Sequence, residues 1–97
     1  MNKKAMDFTN RIVDGLPQKD QDDLEFSDRL CIYYMVKNQL DFGAILLSKL
    51  LDESNFNADM LMGCVEKLLE LNIIDEIIVD KTVIYEVNLV SEETPCI

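Results

Sequence analysis

The chain contains no His and no Trp, three Gly, two Pro, three Cys, and nine Lys plus Arg against nineteen Asp plus Glu. Without His, acid–base chemistry near neutral pH would need a carboxylate, Lys or Cys with a displaced pKa. The adjacent acid pairs Asp22-Asp23, Asp75-Glu76 and Glu92-Glu93 do not offer one, because sequence neighbours point in different directions and stay solvated. Three isolated glycines build no phosphate-cradling loop, and no Ser or Cys has a base of the usual kind beside it. A non-enzymatic protein without a cofactor is expected.

Cys31, Cys64 and Cys96 are odd in number and contain no C-x-x-C. That pattern suits neither a disulfide framework nor a zinc site. Cys31 and Cys64 fall in apolar stripes and read as small hydrophobes, which leaves Cys96 as the reactive thiol. The longest apolar run, Leu30-Cys31-Ile32-Tyr33-Tyr34-Met35-Val36, is far short of the ~18 residues of a membrane span. The basic opening Met1-Asn2-Lys3-Lys4 is followed by Asp7, Asn10, Arg11 and Asp14, which deny it a signal-peptide core. The expectation is a cytoplasmic protein with no membrane partner.

What remains is an acidic chain of 97 residues, net charge −10, with 48% hydrophobic and 29% charged residues. That composition suits one small globular domain. Ala5, Phe8, Ile12 and Leu16 recur at helical spacing and predict a first helix over residues 4–14, stopped by Gly15 and Pro17. Gln18-Lys19-Asp20-Gln21-Asp22-Asp23-Leu24-Glu25 reads as an exposed acidic connector, part of a segment 18–26. Ser27 is the expected N-cap of a second helix running from Asp28 to about Asn38, apolar all round and in need of cover on several sides. A buried strand would show the same run, and its Ile, Tyr and Val content suits one, but the length without turn residues favours the helix. Asp41 is expected to cap a third helix with the stripe Phe42, Ile45, Leu46 and Leu50, followed by a turn at Asp52-Glu53-Ser54-Asn55.

The fourth helix is the best defined. Asn57 caps it, Leu61, Cys64, Val65, Leu68 and Leu71 share one face, and Asn72 closes it in the left-handed conformation. The period then changes to two. Ile77 and Val79, then Val83, Tyr85, Val87 and Leu89, predict an antiparallel hairpin around Asp80-Lys81-Thr82, before a frayed tail 91–97.

The order of these elements resembles a winged helix-turn-helix domain over residues 27–90. Arg29-Leu30-Cys31-Ile32-Tyr33-Tyr34-Met35-Val36 resembles that family's first helix, and Leu40-Asp41-Phe42 its short entry strand and cap. Ile45-Leu46-Leu47-Ser48-Lys49-Leu50-Leu51 resembles its second helix. Val65-Glu66-Lys67-Leu68-Leu69-Glu70-Leu71-Asn72-Ile73-Ile74 resembles the "x-L-x-x-L-x-x-x-G-L-I" end of its recognition helix, with Asn72 in place of Gly. The resemblance implies an α+β fold, a three-helix core and a two-stranded wing, here with an additional N-terminal helix over residues 1–17.

Many winged helices bind DNA through the third core helix and the wing. With Leu61 at the centre of the buried face, steps of 100° turn Asp59, Gly63, Glu66 and Glu70 outward, with Met60, Met62 and Lys67 beside them. The wing adds Asp75, Glu76, Asp80 and Glu86 against Lys81. DNA binders commonly neutralise ~6–10 phosphates. A carboxylate ~4 Å from a phosphate is instead repelled by roughly 4 kcal/mol at an effective dielectric of ~20. The residues therefore disfavour DNA and favour docking on a basic protein surface, such as that of a nucleic-acid-binding protein. Asp59, Glu66, Glu70, Asp75 and Glu76 supply charge, Met60 and Met62 adaptable apolar contact, and Gly63 close approach. The chain is thus expected to be a regulator, in the sharpest form a DNA mimic. The alternative is a dimeric DNA-binding transcription regulator. Phe8, Ile12 and Leu16 are expected either to cover the second helix or to pair two copies in a homodimer, the latter favoured for so small and aliphatic a chain.

Overall fold

The computed structural model describes residues 2–45 and 47–88. The chain is α+β: α1 (Lys3–Asp14), α2 (Gln18–Asp23), α3 (Phe26–Phe42), α4 (Leu47–Glu53), α5 (Ala58–Glu70), β1 (Ile74–Val79) and β2 (Thr82–Val87). α3, α4 and α5 with the hairpin make a winged-helix-like arrangement, to which α1 is added.

The central element is α3. Cys31, Ile32, Tyr33, Met35 and Val36 are all buried, which a single helix face could not achieve. α1 covers one side, while α4, α5 and β2 cover the others. The all-round apolar run is therefore a helix, as its length without turn residues predicts. α1 begins at Asn2, whose side chain accepts a hydrogen bond from the Ala5 N–H at 3.0 Å, and it buries Ala5, Thr9, Ile12 and Val13 against this core.

Three boundaries differ from expectation. The acidic connector is partly helical. Pro17 precedes the first turn of α2, Gln18 donates to Asp22, and the Gln21 side chain donates to the Leu16 carbonyl at 2.8 Å. These local bonds build a helix that buries nothing, so no apolar stripe announces it. α3 is capped by Glu25 and not by Ser27. Glu25 and Asp28 form a reciprocal capping box, with the Glu25 N–H donating to Asp28 Oδ2 at 2.9 Å. Asp41 caps nothing, because α3 runs through it to Phe42 and is stopped by Gly43 at φ +86°.

The expected stripe on the third helix breaks up accordingly. Phe42 is exposed at the end of α3, Leu50 is buried in α4, and Leu46 lies outside the described residues. Ile45 precedes α4 and forms an isolated antiparallel bridge with Tyr85, its N–H and carbonyl both bonded there at 3.2 and 3.1 Å. This bridge, and not Leu40-Asp41-Phe42, occupies the place of the entry strand.

α5 follows its predicted outline. Asn57 accepts from the Met60 N–H at 2.8 Å, and Leu61, Cys64, Val65 and Leu68 are buried. Asn72 has φ +61°, and the N–H groups of Asn72 and Ile73 reach the carbonyls of Leu69 and Leu68. This closing arrangement needs a left-handed residue after the helix. β1 then pairs with β2 from Ile74↔Val87 to Val79↔Thr82, around a two-residue turn in which Asp80 and Lys81 both have positive φ. Thr82 thus belongs to the strand.

Burial along the hairpin is confined to its base. Ile74, Tyr85 and Val87 are buried, but Ile77, Ile78, Val79 and Val83 are exposed. The hairpin projects past the core, so its alternating pattern is covered only at its base. Leu89 and the tail 91–97 lie outside the described residues.

Candidate functional site

The wheel geometry of α5 holds in three dimensions. Asp59, Gly63, Glu66 and Glu70 follow one another at steps of four, three and four along the helix, and all are exposed. Met60 and Met62 flank this stripe and are 43% and 41% exposed. Asp75 and Glu76 are exposed at the start of β1, four and five positions beyond Leu71. All eight residues of the expected interaction face therefore reach solvent. An added Cβ at Gly63 would meet nothing within 4 Å, so the fold itself does not require glycine there.

Cations do not offset these acids. Lys67, the single cation of α5, donates to Asp28 Oδ2 at 2.9 Å and to the Asp23 carbonyl at 2.8 Å. Its side chain is thereby turned toward α2 and α3. The bond to Asp28 raises the Lys67 pKa. Burial pushes the Asp28 carboxyl up, but the Glu25 N–H, the Lys67 ammonium and the Cys64 thiol together hold it below the ordinary value of 3.8. Arg29 reaches back to the Gln21 carbonyl, Lys37 pairs with Asp41, and Lys49 lies over the Phe42 ring. On the hairpin, Lys81 stands at the turn, while Glu76 accepts from the Tyr85 hydroxyl at 3.3 Å.

The thiols match their reading as hydrophobes. Cys31 and Cys64 are free and buried, 1% and 5% exposed. Burial and the neighbouring Asp28 carboxylate raise the Cys64 pKa to about 11, and burial raises Cys31 as well. Both remain protonated, and therefore weakly nucleophilic, at neutral pH. Cys96 lies outside the described residues. Among the described residues, no group of three or more Cys, Asp or Glu is placed to hold a metal, and no helix is long and apolar enough to cross a membrane.

The residues expected for dimerisation are distributed differently. Ile12 is 7% exposed and belongs to the core of its own chain, while Phe8 and Leu16 are half-buried against that core. The intramolecular alternative is thus what α1 provides within one chain. Ile12 and Leu16 also line a cleft of about 200 Å³ with Asn72, Ile73 and Asn88.

Two features of this surface have no signal in the sequence. One is the engagement of Lys67, which depends on a contact 39 positions away in sequence. The other is the outer edge of β1. β2 carries Ile45 on one side and β1 on the other, and among the described residues nothing pairs with the far edge of β1. No family model, curated protein or solved structure matches this chain.

Proposed function

We propose that this chain is a small acidic, non-enzymatic regulator of the winged-helix type, acting by protein–protein interaction through α5 and the wing. It docks on a basic protein surface, such as the nucleic-acid channel of a nucleic-acid-binding protein, where its carboxylates stand in for phosphates. The carrying observation is the outward stripe Asp59, Gly63, Glu66 and Glu70, all exposed, with Lys67, the cation of the same helix, held by Asp28. A surface of this sign steers a basic partner and repels a polyanion. The cytoplasm is the proposed location, consistent with the two free thiols in the core.

The test is a pull-down from the native host comparing the wild type with the double variant Glu66→Lys, Glu70→Lys. Both positions are exposed, so the fold should survive the exchange. The expected result is loss of the captured partner, with wild-type capture fading as salt rises. An unchanged partner set would remove α5 from the site.

A further inference from the structure

The wing carries an apolar blade that the core does not use. Side chains of Ile74, Glu76 and Ile78 lie on one face of β1, opposite Val87, Tyr85 and Val83. Asp75, Ile77 and Val79 lie on the other, opposite Glu86, Ile84 and Thr82. Beyond the buried base, Ile78 is 68% exposed and Val79 47% exposed, so both faces of the tip present aliphatic surface.

The hydrogen-bond phase of the ladder fixes what the edge offers. The N–H and carbonyl of Tyr85 are both bonded to Ile45, away from β1. Tyr85↔Glu76 is therefore a non-hydrogen-bonded pair of the β1–β2 ladder, and the N–H and carbonyl of Glu76 point outward. The side chain of Gln39 bonds both the N–H and the carbonyl of Val87 in the same phase. By the two-residue repeat, Ile78 also presents its N–H and carbonyl outward. Proteins usually blunt such an edge with charge, Pro or a bulge. Here Asp75 and Glu76 charge one end, and Ile77-Ile78-Val79 leaves the other aliphatic.

We infer that the outer edge of β1 takes an extended segment of a partner protein as an added strand, with Lys or Arg opposite Asp75 and Glu76 and aliphatic residues opposite Ile77-Ile78-Val79. Main-chain bonds to Glu76 and Ile78 supply affinity, and the acid-then-aliphatic order selects the partner. Charge decides against a second copy of this chain. Antiparallel self-pairing in the allowed phase sets Glu76 against Glu76, Asp75 against Asp75 or Glu76 against Asp80, or leaves the four carboxylates of Asp75 and Glu76 facing aliphatic residues. Each protomer also brings a net charge of −10. This inference rests on the proposed docking through α5 and the wing, and specifies the wing's share of it.

The experiment follows amide hydrogen exchange of the full chain by NMR, with and without a short peptide that joins a run of three Val to a pair of Lys, the order an antiparallel strand needs opposite β1. A second peptide of the same sequence is N-methylated at alternate amides, which preserves its charge but blocks strand pairing. The Glu76 and Ile78 amides should exchange rapidly in the free protein and slow by about tenfold or more at saturation. The methylated peptide should bind about tenfold more weakly. Ile78→Pro removes one outward N–H without touching the β1–β2 ladder and should weaken binding similarly. Equal affinity for the methylated peptide overturns the inference. So does protection of Glu76 and Ile78 in the free protein, whether by a second copy or by residues 89–97. Peptide binding that protects α5 amides only overturns the edge and leaves the α5 reading standing. Protection of Glu76 and Ile78 that persists in the Glu66→Lys, Glu70→Lys variant supports the edge as a site of its own.

Discussion

Asp28 joins three elements through one carboxylate. It closes the capping box of α3, accepts from Lys67 of α5, and through Lys67 links both helices to the Asp23 carbonyl at the end of α2. It is only 5% exposed. Asp28→Ala should cost about 1–2 kcal/mol at pH 7, the loss of a capping interaction plus a charge-assisted bond. The pH dependence has a definite sign. A carboxyl whose folded pKa lies below its unfolded value adds stability above the unfolded value and loses it as pH falls through the folded one. The gap between wild type and variant should therefore be full above the ordinary aspartate value of 3.8 and close in stronger acid. Denaturant unfolding across that range measures it, and a gap independent of pH would contradict the assignment. Such a long-range tie has no signature in the sequence, since Asp28 read alone only marks a helix start.

At the scale of elements, what was legible depended on local period. α5 could be outlined because its apolar face, the Asn57 cap and the left-handed Asn72 are all short-range features, and its outward residues followed from the same wheel. α2 was not legible because it buries nothing. The α3–α4 boundary was misplaced because Asp41, a good capping residue by type, sits in a helix that ends only where Gly43 supplies positive φ. The alternation in β1 and β2 predicts the hairpin correctly but says nothing of how far it extends past the core, where Ile77 and Val79 are exposed. The edge of β1 depends on the pairing of Ile45 with Tyr85, which no local pattern reveals. One element-scale prediction concerns Gly63, exposed in the middle of α5 with open space around it. Gly63→Ala should stabilise the fold by about 0.5–1 kcal/mol, a rise of several degrees in Tm by calorimetry. If close approach at Gly63 serves docking, the same variant binds its partner less well although it is more stable. Unimpaired binding would make Gly63 incidental.

At the scale of the whole molecule, the sign of the field separates fold from function. The winged-helix-like arrangement is a fold, and fold alone does not decide function. Here α5 and the hairpin carry Asp59, Glu66, Glu70, Asp75, Glu76, Asp80 and Glu86 on a chain of net charge −10. Counterion release needs cations facing phosphates, and the cation of α5 faces Asp28 instead. On the proposed function, this surface turns polyanions away. An electrophoretic mobility shift with random duplex DNA at low ionic strength tests it most directly, because even nonspecific phosphate contacts appear under those conditions. The duplex should migrate unchanged at every protein concentration. A retarded duplex, with retardation lost as salt is raised, would contradict the proposed function.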